Sequence, residues 1–66
     1  MTITLNGEPR VWEQPRSVAA LLTELGIDTR TVAVERNRVV VKRATYGDTV
    51  VEAGDEIEIV SFVGGG

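Results

Sequence analysis

The 66-residue chain contains no cysteine and no histidine. These two absences exclude disulfides, thiolate nucleophiles and imidazole bases, and with them nearly every kind of zinc site. Aromatic residues are also scarce, with a single tryptophan, tyrosine and phenylalanine, so the sequence gives little support for a platform on which nucleic-acid bases could stack. Most enzyme mechanisms therefore lack their reacting groups in this chain.

Clusters of positive charge and long apolar runs are missing too. The net charge is −3, and the longest basic pair is Lys42-Arg43. Non-specific binding to nucleic acid or to anionic membranes depends on larger cationic clusters, so neither kind of partner is expected. The sequence shows no signal peptide and no apolar run long enough to cross a bilayer, and a cytoplasmic location is expected for that reason.

The length of the chain predicts one small domain with a single thin core. Hydrophobic residues make up 42% of the chain and charged residues 26%, which is typical of globular proteins. A large internal substrate pocket is not expected, because it would remove apolar volume from that core.

Two strands joined by a turn are predicted at the start of the chain. Residues 2–5 alternate polar and apolar, and the Asn-Gly pair that follows them is a strong hairpin signal. A two-residue turn would place Ile3 opposite Arg10, whereas a three-residue loop would place it opposite Val11. We favour the three-residue loop, because strand register follows the buried face.

One amphipathic helix is predicted after a sheet-breaking segment at residues 14–16. Ser17 is suited to cap its N-terminus, and Gly26 occupies the position where a left-handed residue ends many helices. Ile27 should then fold back on Leu22 in the last turn. The apolar residues have a spacing that places them on one buried face, and they are Val18, Leu21, Leu22 and Leu25.

Several further strands are predicted after the helix. Val32 and Val34 share one face of the first of them, and the second is a short strand suited to a sheet edge. One helix packed on one face of a mixed sheet is an α+β architecture, and the crossover through the helix predicts at least one parallel strand pair. The predicted strands cover residues 31–36, 39–41, 50–51 and 56–63, with an irregular turn at 43–49.

Acidic residues are densest near the end of the chain, at Glu52, Asp55, Glu56 and Glu58. A calcium site would need more oxygen ligands, and a glycosidase-like carboxylate pair would need a cleft. We therefore interpret Asp55 as a turn residue, and Glu56 and Glu58 as one solvated face of the last strand.

The last strand changes character along that face. Glu56 and Glu58 begin it, but Val60 and Phe62 continue it, whereas a solvated face should have stayed polar. One interpretation is a docking patch formed by Val60 and Phe62, with Val63 beside it, at the base of the tail. The alternative is that the strand is covered near its end, in which case Phe62 belongs to the core.

The chain ends in three glycines, Gly64, Gly65 and Gly66, and carries no charged side chain after Glu58. Three extended residues reach about 10 Å, and glycine has no Cβ that would keep it out of a narrow channel. Such an arm could deliver its terminal carboxylate into the active site of another enzyme. Ordinary terminal disorder is the alternative.

The order of several short motifs resembles one known family over essentially the full chain. The motifs are VERN at 34–37, VKRATY at 41–46, GDEIEIV at 54–60 and the terminal FVGGG. The chain resembles the ThiS family of sulfur carriers in thiamine biosynthesis. That resemblance implies a β-grasp, ubiquitin-like fold, with four to five strands in a mixed sheet and one main helix on one face. It also implies a single domain at residues 1–63, parallel central first and last strands, and a flexible tail at 64–66.

The resemblance further implies a role for the terminal carboxylate of Gly66. A ThiF-type, E1-like adenylating enzyme would use ATP and Mg to convert it to an acyl-adenylate, and a persulfide from a cysteine desulfurase would supply sulfur. The resulting thiocarboxylate would pass sulfur to a ThiG-type thiazole synthase. The chain itself would bind no cofactor and no metal, and would be a cosubstrate rather than an enzyme. It departs from the family pattern only in Gly64, which makes three glycines where two are the minimum.

Other functions remain compatible with the same residues. A sulfur carrier could serve molybdopterin synthesis, cysteine synthesis or tRNA thiolation, and a ubiquitin-like modifier would be joined to lysines through the same carboxylate. A β-grasp binding module would instead predict a basic or aromatic face and would not need a terminal Gly-Gly.

Overall fold

The computed structural model describes residues 1–62, and within that range the chain forms seven β-strands and one α-helix. The helix is α1 (Val18–Glu24), and the strands are β1 (Thr2–Leu5), β2 (Glu8–Val11), β3 (Arg16–Ser17), β4 (Val32–Arg36), β5 (Val39–Val41), β6 (Val50–Val51) and β7 (Glu56–Ser61). Single 3₁₀ turns cover Thr29–Thr31 and Arg43–Thr45.

The main sheet has five strands in the order β2-β1-β7-β4-β5. Its central pair, β1 and β7, is parallel, and the other neighbours are antiparallel. The strands β3 and β6 form a separate antiparallel pair. The predicted α+β class, the mixed sheet with one main helix and the parallel pairing of the first and last strands are confirmed.

The helix begins and ends at the predicted residues. The Ser17 hydroxyl accepts a hydrogen bond from the N–H of Ala20 at 3.0 Å, as an N-cap does. Gly26 has a φ of +73°, and its N–H donates to the Thr23 carbonyl while the Ile27 N–H donates to the Leu22 carbonyl. This pair of bonds is the Schellman motif, which satisfies carbonyls that the helix end would leave unpaired.

One core lies between the helix and the main sheet. Eight of its members come from these two layers, and Tyr46 after the second 3₁₀ turn and Val51 of β6 complete it. All of them are at most 6% exposed: Ile3, Leu5, Val18, Leu21, Leu22, Val32, Val34, Tyr46, Val51 and Ile57. The central strands β1 and β4 each contribute two alternate residues to it, and β7 contributes Ile57, with half-buried Ile59 packed against the core. Because side chains of a strand alternate between faces, the helix covers one face of the sheet.

The register predicted for the first hairpin is wrong. Ile3 lies opposite Arg10, and Val11 lies opposite Thr2, so the turn has two residues rather than three. Val11 is 75% exposed, and there was no buried face on β2 for the register to follow. The backbone of the turn set the register instead, because two adjacent residues with positive φ, Asn6 at +49° and Gly7 at +83°, match the twist of a two-residue hairpin.

The last strand is shorter in the structure than its predicted range of 56–63. β7 ends at Ser61, and Phe62 is the last described residue. Val63 and the predicted boundary between a domain at 1–63 and a tail at 64–66 lie outside the described residues.

Candidate functional site

The start of β7 is held by a partly buried ion pair between Asp55 and Arg36. Its carboxylate accepts from the Arg36 Nε at 2.8 Å, from the Glu52 N–H at 2.8 Å and from the Asn37 side-chain amide at 3.1 Å, and the residue is only 7% exposed. Burial by itself would raise the pKa of Asp55, but the hydrogen bonds from Glu52, Arg36 and Asn37 lower it below its ordinary value. Asp55 is therefore a structural anchor, not only a turn residue.

Asn37 connects the second hairpin to the same end of β7. Its backbone N–H donates to the Glu56 carbonyl at 2.7 Å, and its side-chain oxygen accepts from the Glu56 N–H at 2.9 Å. The turn that contains Asn37 thus extends the pairing of β4 with β7 by one further residue.

Asn6 makes a similar connection on the other side of β7, at the point where β1 ends. Parallel pairing stops at Leu5 and Ile57, and the Asn6 N–H donates to the Ile57 carbonyl at 2.9 Å. Beyond that point, the Asn6 side chain bonds to the backbone of Ile59, as a neighbouring strand would. Its oxygen accepts from the Ile59 N–H at 2.8 Å, and its amide nitrogen lies 3.4 Å from the Ile59 carbonyl.

The end of β7 is paired on the β4 side. Ser61 lies opposite Val32, and the Phe62 N–H donates to the Thr31 carbonyl at 2.9 Å. Because β1 has already turned away after Leu5, the last residues of β7 extend beyond their parallel neighbour. Within residues 1–62, β7 is therefore anchored at its start and has no neighbouring strand on its β1 side at its end.

Val60 and Phe62, two of the predicted docking residues, lie on the surface at this end. Their exposed fractions are 53% and 54%, and Val60 lies opposite Ala33 on the face of the sheet that the helix does not cover. The alternative in which Phe62 belongs to the core is therefore wrong for the described chain. Whether these side chains dock a partner stays a prediction.

The predicted reactive end of the chain lies outside the described residues. This applies to Gly66, to the tail residues Gly64 and Gly65, and to Val63 of the predicted docking patch. Their roles stay predictions. The structure describes β7, the strand that precedes them in the chain.

The acidic residues near β7 do not gather into a metal site. Within residues 1–62, no group of three or more acidic side chains is placed as metal ligands would be. Glu56 and Glu58 are exposed, as predicted. In the same part of the chain, no helix has both the length and the apolar character needed to cross a membrane.

Sequence reasoning missed two contacts that organise this region. The Asn-Gly signal predicts Asn6 only as a turn residue, yet its side chain binds Ile59, which lies 53 positions away. No sequence pattern singles out Arg36, yet it pairs with Asp55, 19 positions away. An asparagine in a turn signals a left-handed backbone, but no local pattern reveals which distant strand its side chain will bind.

Comparison with known proteins gives consistent relatives. A family model described as the ThiS family matches residues 3–66. The chain is 34% identical over 65 residues to the sulfur carrier protein ThiS of Bacillus subtilis, covering 97% of this chain and 98% of that protein. It superposes on the crystal structure of a thiamine biosynthesis protein (ThiS) from Geobacter metallireducens with a TM-score of 0.88, at 35% identity and with both chains fully covered.

A longer relative contains a region similar to the whole chain. The chain is 48% identical over 66 residues to a thiazole synthase of Paramagnetospirillum magneticum, covering 100% of this chain and 20% of that protein. The chain thus spans 20% of the length of that relative. The family match, the full-length similarity to two ThiS proteins and the shared sheet and helix show that the chain belongs to the ThiS family.

Proposed function

We propose that the chain is a sulfur carrier of thiamine biosynthesis and that Gly66 is the residue that bears the sulfur. The observation that supports this most is the path of β7. The strand is anchored at Asp55 and Glu56, passes through the centre of the sheet, and leads past exposed Val60 and Phe62 towards a terminus made only of glycine.

The chemistry of the terminal carboxylate explains why a partner enzyme is needed. A carboxylate with a pKa near 3.5 is anionic at neutral pH and is a poor electrophile. Adenylation by an E1-like, ThiF-type enzyme with ATP and Mg would attach AMP to one oxygen, with release of pyrophosphate. The terminal sulfur of a persulfide, supplied by a cysteine desulfurase, would then displace AMP and form an acyl disulfide with the Gly66 carbonyl. A second thiol of the partner would attack the other sulfur of that S–S bond, which leaves a disulfide on the partner and releases a thiocarboxylate at Gly66.

The composition of the chain agrees with a carrier that is not itself an enzyme. A thiocarboxylate forms on the terminus, so the carrier needs no cysteine, and the partner supplies the catalytic groups, so it needs no histidine. The chain contains neither. Glycine leaves the reacting carbonyl unhindered, since there is no Cβ beside it.

A ThiG-type thiazole synthase is proposed as the acceptor of the sulfur. The similarity of this chain to 20% of a protein named thiazole synthase supports that pairing, because a carrier and its acceptor must meet in order to react. The docking patch proposed for the partner enzymes consists of Val60, Phe62 and Val63. A cytoplasmic location, with ATP available to the adenylating enzyme, fits this role.

The test is the intact mass of the chain after incubation with a cognate adenylating enzyme, Mg-ATP and a persulfide source. We expect replacement of one oxygen by sulfur, located at Gly66 by fragmentation, and consumption of that sulfur when thiazole synthase and its other substrates are added. Absence of any modification would refute the sulfur carrier. A thiocarboxylate that thiazole synthase does not consume would indicate that the carrier serves another pathway.

A further inference from the structure

The chain has two hairpins whose turns share one backbone geometry but differ in sequence. In the first, Asn6 and Gly7 have φ values of +49° and +83°; in the second, Asn37 and Arg38 have φ values of +53° and +69°. Two adjacent residues with positive φ form the type I′ turn that favours Asn-Gly. The second hairpin has an arginine where the first has glycine.

Arg38 is therefore held in a left-handed conformation that its Cβ disfavours. Internal contacts give little reason for an arginine there. Its side chain is 88% exposed, and its Nε lies 3.8 Å from the Glu56 carboxylate, which is itself 55% exposed. Backbone strain of this kind tends to occur where it serves function, and the feature that Arg38 adds to the turn is an exposed positive charge.

The two hairpins also differ at the residue two positions after the glycine or arginine. This residue is Pro9 in the first hairpin and Val40 in the second. In an antiparallel pair, hydrogen-bonded and non-hydrogen-bonded positions alternate, and the pair next to a two-residue turn is hydrogen-bonded. Pro9, opposite Thr4, and Val40, opposite Glu35, therefore both direct their backbone away from the sheet. Proline has no N–H to offer at that edge, whereas Val40 has one.

The β5 edge is also apolar and lies beside a groove. Val39 and Val40 are 67% and 66% exposed. The groove has a volume of about 490 Å³ and lies between β5 and the segment that follows it; its lining includes Val40, Lys42, Thr45 and Thr49. Among residues 1–62, one edge of the sheet is thus blocked by a proline, and the other presents backbone groups without a strand partner, exposed valines and neighbouring cations.

We propose that the β5 edge binds an extended acidic segment of a partner protein, which pairs with Val40 as a sixth strand of the sheet. Addition of a strand to an open edge is a common mode of peptide recognition, in which the backbone supplies affinity and side chains supply selectivity. This proposal does not depend on the function proposed for Gly66.

The spacing of the cations defines the pattern of the bound segment. Arg38 lies in the turn before β5 and Lys42 directly after it, two positions before and after Val40, so a cation stands at each end of this three-residue strand. An antiparallel segment with an apolar residue opposite Val40 therefore extends past both ends of β5 towards these cations. Acidic residues two positions to either side of that apolar residue, four apart in the segment, bring a carboxylate to each end of β5, next to Lys42 and next to Arg38, whose only ion pair within residues 1–62 is the exposed one with Glu56.

The same cations disfavour a second copy of this chain as the occupant. Antiparallel pairing of two β5 strands about Val40 would bring Arg38 of each copy to the end of the strand where Lys42 of the other copy lies. Like charges close together across such a pair are destabilising. Charge complementarity therefore selects an acidic partner over self-association.

The test is an NMR titration of the isotope-labelled full chain with a blocked peptide, Glu-Thr-Val-Thr-Glu, and with its counterpart Lys-Thr-Val-Thr-Lys. We expect the acidic peptide to shift the amides of residues 39–42 and to slow hydrogen exchange at Val40, and the lysine peptide to do neither. R38G and K42Q should each weaken binding about two- to fivefold, as the loss of one exposed ion pair does. R10Q, which removes a charge from the opposite edge, should bind as the wild type does.

Two variants separate a binding role from a structural one. V40P removes the outward N–H, as Pro9 does at the other edge, and should abolish binding. R38G should raise the melting temperature by about 2–5 °C, because glycine relieves the left-handed strain, while it weakens binding. If V40P unfolds, the affinities of R38G and K42Q for the acidic peptide decide whether the β5 edge is the binding site.

Three results would overturn the proposal. The first is the absence of amide shifts at residues 39–42 at saturating acidic peptide. The second is equal binding of the lysine peptide, or wild-type affinity in both R38G and K42Q. The third is a shift of the same amides when the chain is concentrated without peptide, which would show that the edge pairs with itself.

Discussion

The two ends of β7 lie in opposite environments. At the start of the strand, Asp55 is buried and bound by Arg36, Asn37 and the Glu52 N–H. At the end, Val60 and Phe62 are more than half exposed. The anchored end shows how a small domain can fix a strand in its centre, and the exposed end shows how the same strand can present a segment to a partner without disturbing the core.

The difference follows from the lengths of the neighbouring strands. β1 accompanies β7 only as far as Ile57, and the Asn6 side chain satisfies Ile59 beyond it. β4 continues alongside as far as Ser61. Stability should therefore depend on the first half of β7 and partner binding on the second, and the following variants test this division.

Deletion of Gly65 and Gly66 should have the largest effect on function and little on stability. The variant loses the proposed reacting carboxyl group, so adenylation should become undetectable, while the core residues between Ile3 and Ile57 are untouched. Adenylation is measured by pyrophosphate release with the cognate enzyme, and stability by thermal unfolding. A variant that unfolds would show that the tail supports the fold, contrary to the division proposed for β7.

Ile57→Ala should have the largest effect on stability. Ile57 is 1% exposed in the centre of the core, and truncation of a buried isoleucine to alanine costs about 2–5 kcal/mol. In a domain of this size, the melting temperature should fall by about 10 °C or more. A shift of only a degree or two in thermal unfolding would mean that the first half of β7 does not hold the core.

Asp55→Asn should destabilise the chain by about 1–3 kcal/mol at neutral pH, because it removes the charge that Arg36 contacts in a partly buried setting. The pKa of Asp55 is lowered in the folded chain, so its stabilisation is present above the unfolded-state pKa, about 3.9. It is lost as the pH falls through the lower folded-state pKa.

Chemical denaturation between pH 7 and pH 2 measures this dependence. The wild type should lose stability below about pH 4, and Asp55→Asn should lose less over the same range. Equal pH dependence in the two proteins would contradict the assignment of the acid-sensitive stability to Asp55.

Phe62→Ala should have the smallest effect on stability, below about 1 kcal/mol, since its side chain is 54% exposed. It should nevertheless weaken binding to the adenylating enzyme about tenfold, as truncation of an aromatic interface residue does. The matched control is Val11→Ala, which removes an exposed side chain from the outer strand β2. A sharp fall in melting temperature with unchanged binding would show that Phe62 acts as a core residue and not as a docking residue.

Much of the architecture could be predicted because its signals are local. Ser17 and Gly26 mark the helix ends through bonds within a few residues, and the alternation of Val32 and Val34 identifies the buried face of β4. The register of the first hairpin was wrong because Val11 was assumed to be buried, whereas β2 is an exposed outer strand. In that setting the backbone of Asn6 and Gly7 decides the register.

The candidate site could be predicted only in part, for a physical reason. Exposed Val60 and Phe62 follow from the change of pattern along one strand face, which is visible in the sequence. The contacts of Asp55 with Arg36 and of Asn6 with Ile59 join residues 19 and 53 positions apart. They exist only after the sheet has brought β1, β4 and β7 together, and no local pattern encodes them.

The most direct test of the account is the mass of the protein purified from its own cells during growth without thiamine. We predict a species that ends at Gly66 and bears sulfur in place of one terminal oxygen, together with the unmodified form. A chain that continues past Gly66, or one that never bears sulfur under these conditions, would contradict the proposal that β7 supports a sulfur-carrying terminus.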